Sequence, residues 1–180
     1  MSTFIQALAN GIMMGGVYAT IAVGLSLAFG VMGIVNWAHG DLMMLAMYLS
    51  YVVVKYLGFD PYLSMIITIP IMYLLGVVLQ KFVFNKLLAR EKGTREPKSI
   101  IMWTTGLELV IGAVVLMVFT ANTIMVQSSY SGATFEIGDI IFVKSKFISF
   151  LIAVSCTLLL YLFLMKTEKG RALRATAQNR

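Results

Sequence analysis

From residue 4 to residue 29 the chain carries no formal charge. Such a run has few ways to fold. About 20 apolar residues are enough to cross the hydrocarbon core of a bilayer as a helix, and in lipid a helix satisfies its backbone N–H and C=O groups within the segment. The run is therefore read as a membrane span. It is too long for the apolar region of a signal peptide and has no basic stretch before it, which makes it a retained span. Gly11, Gly15, Gly16, Thr20 and Gly24 recur at the spacing of a helical turn. This small-residue stripe suits either the close approach of a neighbouring helix or the lining of a pore.

The membrane reading extends to the whole chain. Of its 180 residues 59% are hydrophobic and 12% charged, with mean hydropathy +0.89, whereas soluble domains carry about 25% charged residues. Further apolar segments follow at 34–54, 62–80, 99–121 and 147–165. Gly30 and Gly33 loosen the chain before the second segment, and residues 55–61 read as a turn with Gly58 and Asp60-Pro61 as breakers. Pro70 removes a backbone donor inside the third segment and predicts a kink there. The stretch 122–146 is amphipathic and loop-rich. Within it Thr134-Phe-Glu-Ile and Ile140-Ile-Phe-Val read as short strands, with Gly132 and Gly138-Asp139 as turn signals. The expected fold class is all-α: a polytopic transmembrane helical bundle of five hydrophobic segments, forming one domain over 1–180.

Charge sets the expected topology. The 14 basic residues outnumber the 8 acidic ones, and all but Lys55, Lys144 and Lys146 fall in 81–98 and 166–180. Clustered lysine and arginine mark the cytoplasmic side, which puts 122–146 and 55–61 outside. If 34–54 spans fully, the N-terminus is outside; if that segment is broken or re-entrant, the N-terminus is inside. Nucleic acid is a poor partner, because no base-stacking aromatics interleave with the basic residues; the bilayer is the partner that composition requires. Gly93-Thr-Arg-Glu-Pro-Lys-Ser99 echoes a phosphate-binding loop but lacks the glycine before lysine, so neither an ATP site nor a cofactor is read. The single Cys156 rules out a disulfide framework and reads as a small packing residue.

Polar groups at membrane depth are costly and by default functional candidates. The only histidine, His39, sits with Asn36 and Asp41 between two apolar runs. On a helix Asn36, His39, Gly40, Met43 and Met47 share one face, Met44 borders it and Asp41 points elsewhere. Methionines give adaptable apolar surface, so this face suits a translocation path or gate. The same Asn36 and His39 equally suit hydrogen bonds that lock a neighbouring helix. One histidine without a carboxylate on its face is too few ligands for a metal. Glu108, in the fourth segment, is a possible intramembrane acid, sharing a face with Thr104, Thr105 and Gly112. Residues 166–180 read as a short amphipathic cytoplasmic helix. Ala172, Leu173, Ala175 and Thr176 make its compact side, and Arg171, Arg174 and Gln178 its polar side. It suits either anionic headgroups or a groove on a soluble partner.

Two stretches together resemble the inner-membrane permeases of branched-chain amino-acid ABC importers, the LivH type. One is Phe29-Gly-Val-Met-Gly-Ile-Val-Asn-Trp-Ala-His-Gly-Asp41, close to the family's Asn-Phe-Ala-His-Gly-acid motif, with Trp37 and Asp41 as variants. The other is Gly170-Arg-Ala-Leu-Arg-Ala-Thr-Ala-Gln-Asn179, similar to the start of its cytoplasmic coupling segment. The resemblance implies a non-enzymatic transport subunit in a bacterial inner membrane, with branched-chain amino acids as cargo. It also implies a second permease subunit, two cytoplasmic ATPases and an extracytoplasmic substrate-binding protein. It implies a path or gate role for Asn36 and His39, which the shared helical face extends to Gly40 and Met43, and it implies a coupling role for Gly170, Arg171, Ala172, Arg174, Ala175 and Gln178. It lends Glu108 no role. Family members continue into further spans, so this sequence is expected to be the N-terminal part of a permease. Urea or another amide, or another amino acid, stays open as cargo, and an ion-coupled carrier stays open through Glu108.

Overall fold

A computed structural model describes residues 2–32, 36–90, 98–126, 132–137 and 140–178. The chain is a polytopic helical protein: among the described residues five helices are long and apolar enough to cross a membrane, Thr3–Gly30, His39–Leu57, Met65–Leu87, Ser99–Phe119 and Lys144–Lys166. It divides into two compact units, Met1–Gly33 with Ser129–Arg180, and Ile34–Ser128.

In the first unit α1 (Ser2–Met32) packs along α6 (Lys144–Lys166). The small-residue stripe is divided by this packing. A Cβ on Gly16 would lie 2.6 Å from two ring atoms of Phe150, whereas Gly11, Gly15 and Gly24 face open space. One turn on, Thr20 Oγ1 lies 3.1 Å from the carbonyl oxygens of Gly16 and Ala153 and 3.0 Å from Thr157 Oγ1. With its single proton Thr20 donates to a carbonyl and accepts from Thr157. Close backbone approach and an interhelical hydroxyl pair are the contacts that hold helices together where lipid offers no hydrophobic drive. Cys156 is exposed on α6 rather than packed, contrary to its expected role.

Both expected strands form, as β1 (Thr134–Ile137) antiparallel to β2 (Ile140–Val143). Phe135 stacks on Phe142 at 5.3 Å, and Phe147 of α6 meets the two edge-on at 5.4 and 6.4 Å. The Gln6 side chain closes one strand edge: its amide donates to Ile141 O at 2.6 Å and accepts from Ile141 N–H at 2.9 Å. After α6, helix α7 (Glu168–Gln178) packs against both α6 and α1.

In the second unit α2 (His39–Leu57) packs against α3 (Met65–Leu79) and α5 (Lys98–Phe119). Ser50 Oγ meets Ser64 Oγ at 2.5 Å, and Ser64 donates to Pro61 O at 2.6 Å, which pins α2 to the start of α3. α3 runs on across Pro70 and passes through a π-helical turn, Gln80–Phe84, into α4 (Asn85–Arg90).

Several expected boundaries move. α1 continues through Gly30 to Met32, so Gly30 does not loosen it. α2 begins at His39 and continues through Lys55 to Leu57; the turn starts at Gly58, in the left-handed conformation at φ 67°. Lys55 is itself a good helix former, and its ammonium lies over the rings of Tyr51 and Tyr56, at 5.5 and 5.6 Å. The start of the second segment at Ile34, the Gly93–Pro97 stretch apart from Lys98-Ser99, the Gly138-Asp139 turn, and Asn179 and Arg180 lie outside the described residues.

Candidate functional site

The histidine motif folds as a capped turn and not as a continuous helical face. Asn36 precedes α2; its Oδ1 accepts the Ala38 N–H at 3.1 Å, and its backbone oxygen accepts the His39 N–H at 3.2 Å. Ala38 O then takes the Leu42 N–H at 2.9 Å, the first helical bond. Asparagine competes with the helix through its own side chain and favours such turns. Asn36 therefore leaves the face it was expected to share with His39. Asp41 lies in the first turn of α2, where its charge favours the helix dipole. Local structure thus accounts for two of the three polar groups. His39 is the exception: its Nε2 is buried and has no hydrogen-bond partner among the described residues. An orphaned buried nitrogen of this kind is costly and calls for a reason.

Along the same helix, Gly40 is exposed with nothing near its Cβ position, and Met43 is half-buried one turn after His39. Further along, Met44, Met47, Tyr48 and Tyr51 join Ile124 and Val126 around an open cavity of about 470 Å³. Glu108 on α5 is half-buried and makes no hydrogen bond or ion pair among the described residues. Thr104, one turn before it, is fully buried and donates to Ile101 O at 3.1 Å.

The last helix is attached by a corner one residue long. Thr167 ends α6 by giving its N–H to Phe163 O at 3.1 Å and its hydroxyl proton to the same oxygen at 2.7 Å. It also starts α7, because Oγ1 accepts the Gly170 N–H at 3.0 Å and Thr167 O accepts the Arg171 N–H at 3.0 Å. One hydroxyl thus caps two helices. Gly170 makes the sharp angle possible: it is buried, and a Cβ there would sit 2.5 Å from Phe163 O and 2.6 Å from Leu164 Cα and O.

This corner sorts the residues of α7. Gly170, Leu173 and Ala177 turn towards Val23, Leu27 and Leu164. Leu173 therefore belongs to the inner side, not to the compact outer side expected for it. Arg171, Ala172 and Ala175 are exposed, and Arg174 bends back so that Nη1 donates to Met165 Sδ at 3.3 Å. The Gln178 side chain lies outside the described residues. Thr167 escaped sequence reasoning, although a threonine followed at once by an acidic residue, here Glu168, just after an apolar run is a helix-start signal. The Gln6 clamp and the tyrosines of the cavity carried no such signal.

The profile of the family described as branched-chain amino acid transport system, permease component, matches residues 7–180. The high-affinity branched-chain amino acid transport system permease protein BraD of Pseudomonas aeruginosa is 26% identical over 98% of this chain and 60% of its own length. A probable branched-chain amino acid transport permease protein LivH of Methanocaldococcus jannaschii is 25% identical over 96% of this chain and 54% of its own. LivH of Escherichia coli is 37% identical over 28% of this chain and 17% of its own. The chain spans little more than half the length of the two relatives that match it almost throughout. No solved structure matches it.

Proposed function

This chain belongs to the family of branched-chain amino acid transport permease components, and from that premise we propose that it forms part of the membrane path of an ATP-driven importer of branched-chain amino acids. The protein sits in the cell inner membrane with 81–98 and 166–180 on the cytoplasmic side, and β1 and β2 outside. It performs no catalytic step itself. A second permease subunit completes the path, two cytoplasmic ATPases drive it, and an extracytoplasmic binding protein delivers the cargo.

The observation that carries the reading is the attachment of α7. Its inner side is fixed to α6 and α1 through Gly170 and Leu173, and its outer side presents Ala172 and Ala175 beside Arg171. A small-residue face on a rigidly held helix suits a groove on the ATPase, and the corner passes movement of the ATPase to α6. Gly170 acts in coupling by position, since it is buried. His39, Gly40 and Met43 line or gate the path, with Asn36 shaping the turn that presents them. The orphaned His39 Nε2 supports this role, because a passing solute or a facing helix supplies the partner it lacks.

The test is uptake by the full-length transporter reconstituted with its ATPases and binding protein. Uptake of leucine, isoleucine and valine is expected to stop without ATP and to survive collapse of the ion gradients. Uptake that persists without ATP, or that needs a gradient, overturns the reading.

A further inference from the structure

The cavity on α2 has no part in the roles above, and its chemistry is specific. It measures about 470 Å³, within the range of small-molecule sites. Its apolar wall is Met44 and Met47 of α2 with Ile124 and Val126 beyond α5. Tyr48 and Tyr51 complete it and are fixed by Phe119, which stacks on Tyr48 at 4.4 Å and meets Tyr51 edge-on at 6.3 Å. The far wall is held by an unusual backbone conformation. Thr120 closes α5 with φ at 61° and its N–H on Leu116 O at 3.0 Å. A β-branched residue there is strained, and strain of this kind concentrates at functional sites.

One cation stands at the end of this face. Met44, Met47, Tyr48, Tyr51 and Lys55 follow one another along a single stripe of α2. The Lys55 ammonium lies 5.5 Å from the Tyr51 ring centre, and no carboxylate among the described residues pairs with it. An apolar cavity, tyrosine rings whose faces suit an ammonium and a lysine that has no carboxylate partner among the described residues, in that order, match a small zwitterion with an aliphatic side chain.

We propose that this cavity is a binding site for a free aliphatic amino acid, its side chain against Met44, Met47, Ile124 and Val126 and its carboxylate directed to Lys55. The proposal rests on the transport reading and deepens it: the site, at the end of α2 assigned to the outside, receives the cargo before the His39 region. Methionine surfaces re-pack around branched side chains of different shape, so the site selects aliphatic character over one particular outline.

The test uses the full-length transporter in proteoliposomes. Cys156 is replaced by alanine and Thr123, which also lines the cavity, by cysteine; the rate at which a small methanethiosulfonate converts that cysteine to a mixed disulfide, releasing methanesulfinate, is then measured. Leucine or valine in the external medium is expected to slow labelling and to do so at a concentration at least about ten-fold below any at which glycine protects, because burial of an aliphatic side chain adds about 1.5–3 kcal/mol of affinity. Tyr51→Ala is expected to abolish the protection. Lys55→Gln is expected to raise the leucine concentration needed by about two- to five-fold, the range of an exposed ion pair. Equal rates with and without leucine, equal protection by glycine, or a cysteine that no reagent reaches overturns the site. ATP-driven leucine uptake with no protection refutes the site alone. Protection without ATP-dependent uptake refutes the transport reading and leaves the site standing.

Discussion

If α7 is to transmit force, the corner at Thr167 and Gly170 must be stiff, and its geometry says how stiff. Thr167→Val keeps the side-chain shape and both backbone hydrogen bonds of the corner, but removes the 2.7 Å bond to Phe163 O and the 3.0 Å acceptance from Gly170 N–H. Loss of a helix N-cap costs about 1 kcal/mol, within roughly 0.5–2. That corresponds to about a five-fold larger undocked population of α7. Gly170→Ala is more severe. Its Cβ would meet three backbone atoms at 2.5–2.6 Å, far inside the 3.5–4.0 Å of a favourable carbon contact. None of these atoms ends a flexible side chain, so the helix itself must move, at a cost of about 1–3 kcal/mol. Thr167→Ser keeps the hydroxyl and serves as control. Spin labels on the exposed Cys156 and on Ala175→Cys in lipid bilayers read the result as a distance distribution. Wild type and Thr167→Ser are expected to be narrow, Thr167→Val broader, and Gly170→Ala displaced. A Gly170→Ala distribution that overlays wild type would refute the stiff corner.

Other consequences are local. His39→Ala should lower the rate of cargo uptake while leaving the amount of protein in the membrane unchanged; unchanged uptake and selectivity would mean that His39 only packs. Gln6→Leu removes both bonds to Ile141, each worth about 1 kcal/mol. Amide exchange at Ile141 should accelerate by at least about five-fold, and an unchanged rate would show that the clamp holds nothing. Thr20→Val removes the hydroxyl pair with Thr157 and should weaken the α1–α6 contact by about 0.6 kcal/mol. Gly16→Leu should be far worse, since even a Cβ there meets Phe150 at 2.6 Å. Thermal unfolding in detergent ranks the two, and equal melting would contradict the packing account.

Much of the fold was legible because hydropathy and alternation are local properties. Uncharged runs long enough to span marked the five long helices, and the alternation of Thr134-Phe-Glu-Ile marked a strand without any knowledge of Gln6. Legibility failed where one residue serves two elements. Helical spacing puts Asn36 on one face because it assumes that the helix has already begun; its side chain instead forms the turn that begins it. Amphipathicity groups Leu173 with the outer alanines because it identifies the faces of a helix but not which one is covered. The covering residues, Val23 and Leu27, lie far back in the chain. Thr167 looked like an ordinary polar residue after a span, since its double capping needs the corner that Gly170 allows. The cavity is equally hidden: its methionines stand out along α2, but its far wall comes from Ile124 and Val126, carried there after the strained turn at Thr120.

The central claim is that α7 couples this permease to ATP hydrolysis through its exposed small-residue face. Its most direct measurement is leucine taken up per ATP hydrolysed in the reconstituted transporter, for wild type, Ala172→Arg and Ala175→Arg. Both alanines are exposed and outside the corner, so folding and the α6–α7 angle should persist. The account predicts that ATP hydrolysis continues in both variants while uptake per ATP falls by at least about ten-fold, the effect of an unmatched charge placed in an interface. Wild-type uptake per ATP in both variants would contradict it.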